Sequence, residues 1–191
     1  MNNIIFIRHA ETEWNMLGLI QGHTDIPICK EGETNAKKWK IDLNNYTLWS
    51  SPLQRAIKTA ELVFSKKPKI ENALIEMNWG DWEGKQLSQL RKKMGKKMMA
   101  SENLGLDMRP TNGETPREVQ KRISNWLLLL NNLGNNHVCI THKGVIRSVI
   151  ALATEWEMIG KIPIKIESGK AYSFNFSNDN QLTYLSTISM I

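Results

Sequence analysis

Asn3-Ile4-Ile5-Phe6-Ile7-Arg8-His9 opens on a run of apolar residues and ends on a guanidinium and an imidazole. A short run without polar alternation fits a strand buried on both faces, as a parallel sheet requires. Two further stretches read the same way: Tyr46 to Ser50, and His137-Val138-Cys139-Ile140-Thr141. Elsewhere the apolar period changes to that of a helix. Ser51-Pro52 offers an N-cap followed by proline at the first helical position, and Leu53, Ala56, Ile57, Ala60 and Phe64 then recur at helix spacing. Thr115-Pro116-Arg117-Glu118 is a capping box that opens a helix with the stripe Val119, Ile123, Trp126, Leu127 and Leu130. Val145, Ile146, Val149 and Ala153 mark another helix directly after the His137 to Thr141 strand.

Strands alternating with amphipathic helices predict an α/β domain: a three-layer sandwich with a mostly parallel central sheet and helices on both faces. Ala171 to Phe176 and Gln181 to Ser186 flank the polar turn Ser177-Asn178-Asp179-Asn180, which predicts a hairpin and one antiparallel edge strand. Lys93 to Leu106 is the least patterned stretch and reads as a mobile lid.

The chain has 191 residues, of which 41% are hydrophobic and 23% charged, ordinary values for a globular protein that exclude disorder. That length suits a single domain spanning 1–191. The longest apolar run, Trp126 to Leu130, falls far short of the roughly 18 residues a membrane-spanning helix needs. The N-terminus has neither the basic start nor the long apolar core of a signal peptide, so no membrane association and a cytoplasmic location are expected. The two cysteines, Cys29 and Cys139, make no disulfide framework, and Cys139 reads as a small buried hydrophobe. No CxxC or HxxxH spacing occurs, so no metal site is expected.

Twenty-five Lys and Arg against nineteen Asp and Glu give a net charge of +6. The densest basic stretch, Arg91 to Lys97, has no interleaved aromatic residues and reads as a solvated helix face, not a nucleic-acid platform. A positive field of this size serves equally to draw in a small phosphorylated metabolite, and charge alone does not decide between the two. No GxGxxG occurs. Gly80 to Gln86 fails as a phosphate-binding P-loop, with three residues between its glycines and no Ser or Thr after Lys85, so no cofactor is expected.

In open α/β sheets ligands bind beyond the carboxyl ends of the strands. Arg8 and His9 follow the first strand, Ser50 and Ser51 the second, and His142 the third; Arg55 stands in the first turn of the helix after Ser51. A cation there opposes the helix dipole, while its side chain points back towards the strand ends, where a bound anion offsets the cost. Two arginines, a helix N-terminus and a histidine together suit phosphate, and a neutral histidine beside it can attack phosphorus. With no acidic cluster of the DxD type to hold magnesium, the arginines are left to neutralise the developing charge.

These residues carry a family resemblance. Arg8-His9-Ala10-Glu11-Thr12-Glu13-Trp14-Asn15 with Gln21-Gly22 closely resembles the signature of the histidine phosphatase superfamily, also called phosphoglycerate mutase-like. Ser50 to Ala60 is similar to its second motif and Leu74 to Gly84 to its third. Asn112-Gly113-Glu114-Thr115 and Thr141-His142-Lys143-Gly144-Val145-Ile146-Arg147 are similar to the remaining two. The resemblance implies that His9 is the nucleophile, with Arg8, Arg55 and His142 around the transferred oxygens. It implies that Glu76 is the general acid and then the base that activates water. Asn15, Gln21 and Gly22 are implied at the phosphate end of the pocket.

Two departures stand out. Ala10 replaces a usual glycine beside the nucleophile, and Lys143 replaces a second glycine after the histidine. Lys143 either reaches into the pocket towards a further anionic group or points to solvent. The resemblance implies a metal-independent phosphomonoester hydrolase acting through a phosphohistidine, as a monomer or homodimer. Its alternatives are a cofactor-dependent phosphoglycerate mutase and, from another class, a catalytically idle phosphate- or nucleic-acid-binding module. Mutases of this type carry a longer insert after the third motif and a C-terminal tail. Here only the 36 residues 77–112 separate Glu76 from Gly113, and the chain ends soon after the hairpin, so hydrolysis is expected.

Overall fold

The four apolar side chains of the opening run divide between two layers. In the structure, a computed structural model that describes residues 2–130 and 136–191, strand β1 spans Asn2–Arg8. Because successive strand side chains point to opposite faces, Ile4 and Phe6 join one core and Ile5 and Ile7 the other. Strand β4 (Asn136–Thr141) divides the same way, with Cys139 in the first core and Val138 and Ile140 in the second.

Among the described residues the sheet has six strands in the order β3-β2-β4-β1-β5-β6. Strands β2 (Tyr46–Ser50) and the short β3 (Lys69–Ile70), which the sequence did not announce, run parallel to β4 and β1. The hairpin of β5 (Lys170–Phe176) and β6 (Leu182–Ser189) forms the antiparallel edge; β5 is the strand that reverses, pairing with β1, and β6 covers it.

Seven helices are described: α1 (Glu13–Met16), α2 (Lys30–Ala36), α3 (Gln54–Phe64), α4 (Leu87–Met94), α5 (Lys96–Glu102), α6 (Pro116–Leu130) and α7 (Lys143–Thr154). Helices α6 and α7 cover the first core through Val119, Ile123, Val145 and Ile146, while α2 and α3 cover the second through Ala36, Ala56 and Ala60. The expected sandwich is therefore present. None of the described helices is long and apolar enough to cross a membrane.

Local signals held where the partners are local. Thr115 and Glu118 exchange the two backbone bonds of a capping box, so α6 begins at the predicted residue. The start of α3 differs from its prediction. The helix begins at Gln54 with Leu53 at the cap position, and Ser51 does not cap it. The Ser51 hydroxyl accepts the Leu53 N–H at 3.3 Å, just ahead of the helix, and meets His142 at 2.7 Å, while the Gln54 N–H is capped by the Asp25 carboxylate at 3.0 Å, from a distant loop.

The stretch 93–106, expected as a lid without pattern, contains the end of α4, all of α5 and a 3-10 turn. Gly95, at φ +53°, makes the left-handed bend between the two helices, a conformation that favours glycine. Leu90 and Met98 are buried there against Trp82, in a third, smaller apolar cluster.

Candidate active site

The parallel pairing brings the chemistry to one level. Arg8 lies opposite Thr141 and Ser50 opposite Ile140. The pairing continues past the strand ends: the His9 N–H donates to the Thr141 carbonyl at 2.9 Å and the Ser51 N–H to the Ile140 carbonyl at 3.0 Å. Arg8, His9, Ser51 and His142 thus leave the sheet side by side.

His9 is buried, with 5% of its surface exposed. Its Nδ1 lies 2.7 Å from the Ala10 carbonyl, which can only accept, so Nδ1 carries the proton and Nε2 keeps a lone pair. Burial, reinforced by the Arg8 and Arg55 charges, holds its pKa well below the ordinary imidazole range. The result is a neutral imidazole of fixed tautomer.

His142 is also buried and neutral, 5.0 Å from His9 between ring centroids. Burial is the main cause of its depressed pKa and the Arg55 charge the second. Its Nδ1 accepts from Arg55 Nε at 3.3 Å, which places the proton on Nε2, facing the Ser51 hydroxyl. Arg55 is fully buried, and its terminal nitrogens donate to the Thr24 carbonyl at 3.0 Å and the Gly22 carbonyl at 2.8 Å.

Glu76 is nearly fully buried and its pKa is raised, chiefly by loss of solvent. The N–H groups of Met77 and Gly144, at 2.8 and 3.1 Å, pull the other way and fix the carboxyl at the start of α7. The closeness requires glycine at 144, because a Cβ there would sit 2.4 Å from Glu76 Oε1.

A cavity of about 780 Å3 opens over these groups. Arg8, His9, Asn15, Gln21 and Glu76, five of the residues named from the sequence and the resemblance, line it. Gly22, Arg55 and His142 are not among the lining residues: His142 packs against His9, and Arg55 links it to Gly22 behind. Arg8 Nε and Gln21 Oε1 are buried without a hydrogen-bond partner among the described residues. An orphaned guanidinium N–H in a cavity wall suits an anionic ligand. Asn15 Oδ1 is occupied by the N–H and hydroxyl of Thr12, which leaves its amide nitrogen available to that ligand. Among the described residues no three His, Cys, Asp or Glu side chains come together as a metal site.

One residue of the site escaped the sequence reading. The Glu83 carboxylate accepts from the N–H groups of His23, Thr24 and Trp79 and from the Thr24 hydroxyl, and these bonds outweigh its partial burial to hold its pKa low. It therefore fastens the loop whose Gly22 and Thr24 carbonyls hold Arg55. The only local signal was a Glu-Gly pair closing the third motif. The fourth motif is structural: Glu114 pairs with Arg122 on α6 at 2.9 Å, and its backbone N–H binds the Asn78 carbonyl at 2.8 Å.

The chain is 31% identical over 162 residues to the phosphoglycerate mutase-like protein 4 of Arabidopsis thaliana, covering 76% of this chain and 68% of that one. It is 31% identical over 153 residues to the adenosylcobalamin/alpha-ribazole phosphatase of Escherichia coli K12, covering 76% and 75%. Its fold superposes on the phosphoserine phosphatase of Entamoeba histolytica, solved with 3-phosphoglyceric acid, with a TM-score of 0.80, 28% identity, and 99% and 98% of the two chains covered. The histidine phosphatase superfamily (branch 1) model matches residues 4–185, and the chain belongs to that family.

Proposed function

We propose that this protein is a metal-independent phosphomonoester hydrolase, acting on a small phosphorylated metabolite through a phosphohistidine at His9. The observation that carries the reading is the state of His9: neutral, with Nδ1 anchored on the Ala10 carbonyl and Nε2 unprotonated beside a cavity lined by Arg8 and Glu76.

In the first step Nε2 attacks phosphorus, the N–P bond forms and the ester P–O bond breaks, and the Glu76 proton passes to the leaving oxygen. In the second step Glu76, now a carboxylate, takes a proton from water, whose oxygen attacks phosphorus and returns His9 to its starting form. Arg8, with its unpartnered Nε, and the amide nitrogen of Asn15 contact the phosphoryl oxygens, while Gln21 donates to the Thr12 hydroxyl and shapes that end of the cavity. Arg55 and His142 add positive charge and N–H dipoles from the buried side, positioned through Gly22.

Hydrolysis is favoured over mutase chemistry by room for water. A mutase must keep phosphohistidine dry while the substrate reorients. Here helices α4 and α5 wall the cavity with Leu87, Arg91 and Met98 and leave about 780 Å3 beside the nucleophile. Pockets of about 300–1,000 Å3 admit ligands larger than a three-carbon phosphate, so water fits beside a small one.

The test follows phosphate release and isomer interconversion on phosphoglycerates, with and without a bisphosphate primer and with excess chelator. Phosphate release that persists in chelator, without interconversion, is the expected result. Primer-dependent interconversion far faster than release promotes the mutase, and loss of activity restored by magnesium overturns the metal-free chemistry.

Glu83 gives a second expectation. Glu83→Ala leaves the N–H groups of His23, Thr24 and Trp79 without their acceptor, at about 1–3 kcal/mol for each donor that stays buried. It frees the loop that holds Arg55. Weaker binding of inorganic phosphate, by about tenfold or more, should accompany the lower melting temperature, with partial recovery in Glu83→Gln. Unchanged phosphate affinity in a destabilised variant would restrict Glu83 to folding.

A further inference from the structure

The cavity beside His9 carries more positive charge than one phosphoryl group requires. Lys143 and Arg147 stand four residues apart on α7, so their side chains share one face of that helix. Both line the cavity, together with Arg8. The α7 N-terminus adds its own positive end to the same wall.

Neither member of this pair forms an ion pair on the wall, although the Glu76 charge acts on both from a distance. Among the described residues no carboxylate lies within 4.0 Å of the Lys143 ammonium or the Arg147 guanidinium, whereas Arg91 on the facing α4 is paired with Glu102 at 2.7 Å. Both oxygens of Glu76 are committed to backbone N–H groups. Arg147 is steadied by the Trp156 ring, 5.3 Å from its guanidinium carbon, which fixes the group without discharging it. Burial and the neighbouring Arg8 and Arg147 charges lower the Lys143 pKa, a cost that an incoming anion removes. Lys143 lines the cavity and is also exposed, so it stands at the cavity mouth with its ammonium open to solvent and to an incoming ligand.

We propose that Lys143 and Arg147 form a second-anion subsite, so that the substrate is a phosphomonoester bearing a further carboxylate or phosphate near the ester group. This rests on the phosphatase reading above, with the phosphoryl group at Arg8 and His9. The Arg147 fork suits either oxyanion in bidentate fashion, and Lys143 adds a mobile point charge. Trp79, Trp82, Met98 and Met108 line the cavity as well and offer apolar surface to the body of the substrate.

The experiment compares matched substrates. 3-Phosphoglycerate and glycerol 3-phosphate differ by a carboxylate in place of a hydroxymethyl group. Glucose 1,6-bisphosphate and glucose 6-phosphate differ by a second phosphate. In the wild type, kcat/KM should favour the doubly anionic member of at least one pair by tenfold or more, and the pair that shows it identifies the anion. Lys143→Met should lower that ratio at least fivefold, mainly through KM, and Lys143→Arg should retain it. A wild-type ratio near one for both pairs overturns the subsite. So does a ratio that Lys143→Met leaves unmoved while the alkaline limb of the pH profile shifts, since Lys143 then acts only on Glu76.

p-Nitrophenyl phosphate separates the two levels. Its hydrolysis alongside a ratio near one removes the subsite and leaves the phosphatase. If no phosphate ester turns over, the phosphatase reading fails. Calorimetric binding of the same pairs to His9→Ala and to His9→Ala/Lys143→Met then decides the subsite without turnover.

Discussion

His9→Ala should lower phosphomonoester turnover by about 10⁴-fold or more, the scale on which loss of a covalent nucleophile acts in other enzymes. The imidazole is the one group at this site with an unprotonated nitrogen held beside the cavity, since the Nδ1 of His142 is occupied by Arg55. The fold should survive. The His9 backbone N–H keeps its bond to Thr141, and the side chain makes a single hydrogen bond, to the neighbouring residue. The checks are initial rates on p-nitrophenyl phosphate, thermal unfolding of the variant, and rapid quenching of the wild type into alkali, where phosphohistidine persists. Near-normal turnover in His9→Ala, or the absence of a phosphorylated protein species during wild-type turnover, would remove the covalent mechanism.

The sequence disclosed what short-range chemistry determines. Alternation in Ile4 to Ile7 assigns each side chain to a face whatever lies beyond, and Thr115 with Glu118 closes a capping box three residues long. Ser51 binds the Leu53 N–H as a cap would, but α3 starts beyond it, and the same hydroxyl faces His142, which lies 91 residues away. The real cap, Asp25, is 29 residues from Gln54, and the loop donors that Glu83 gathers are about 60 residues from it. No local pattern encodes such pairings. Of helices α4 and α5 the sequence showed only the basic face Arg91 to Lys97, for a related reason: their apolar residues are sparse among lysines, and burial of Leu90 and Met98 depends on Trp82 from another segment.

The site divides along the same line. Strand ends located Arg8, His9 and His142 and gathered them with Arg55, because a parallel sheet must deliver them to one edge. What the strands could not tell was depth. Arg55 was expected to reach the anion; three of its five N–H donors are taken by the loop carbonyls of Gly22 and Thr24 and by the His142 ring, which fix the guanidinium on the buried side of His9. Glu76, on a loop after a 3-10 turn, had no periodic signal at all and emerged only through the resemblance.

Glu76→Gln separates the two chemical steps by leaving group. Alkyl phosphates expel a strongly basic alkoxide and need a proton from Glu76, and general acids of this kind contribute about 10²–10⁴-fold. p-Nitrophenolate leaves unaided, so its release should suffer far less, and slow dephosphorylation should then let phosphohistidine accumulate. A pH signature follows from the direction of the shift. Glu76 is raised above its ordinary value, so its acid form persists at pH values where an exposed glutamate is already ionised, and it is lost as pH rises through the raised value. Wild-type kcat/KM on an alkyl phosphate should fall across that window. On p-nitrophenyl phosphate it should fall less, and the comparison cancels the ionisation that both phosphates share. The low His9 pKa keeps the nucleophile unprotonated well into acid, so the acid limb lies below the usual histidine range. The amide can accept only one of the two N–H groups that the carboxyl accepts, so some stability will be lost. The ratio between substrates is insensitive to the folded fraction. If Glu76→Gln slows alkyl and nitrophenyl esters equally, or leaves the alkaline limb in place, Glu76 is not the acid.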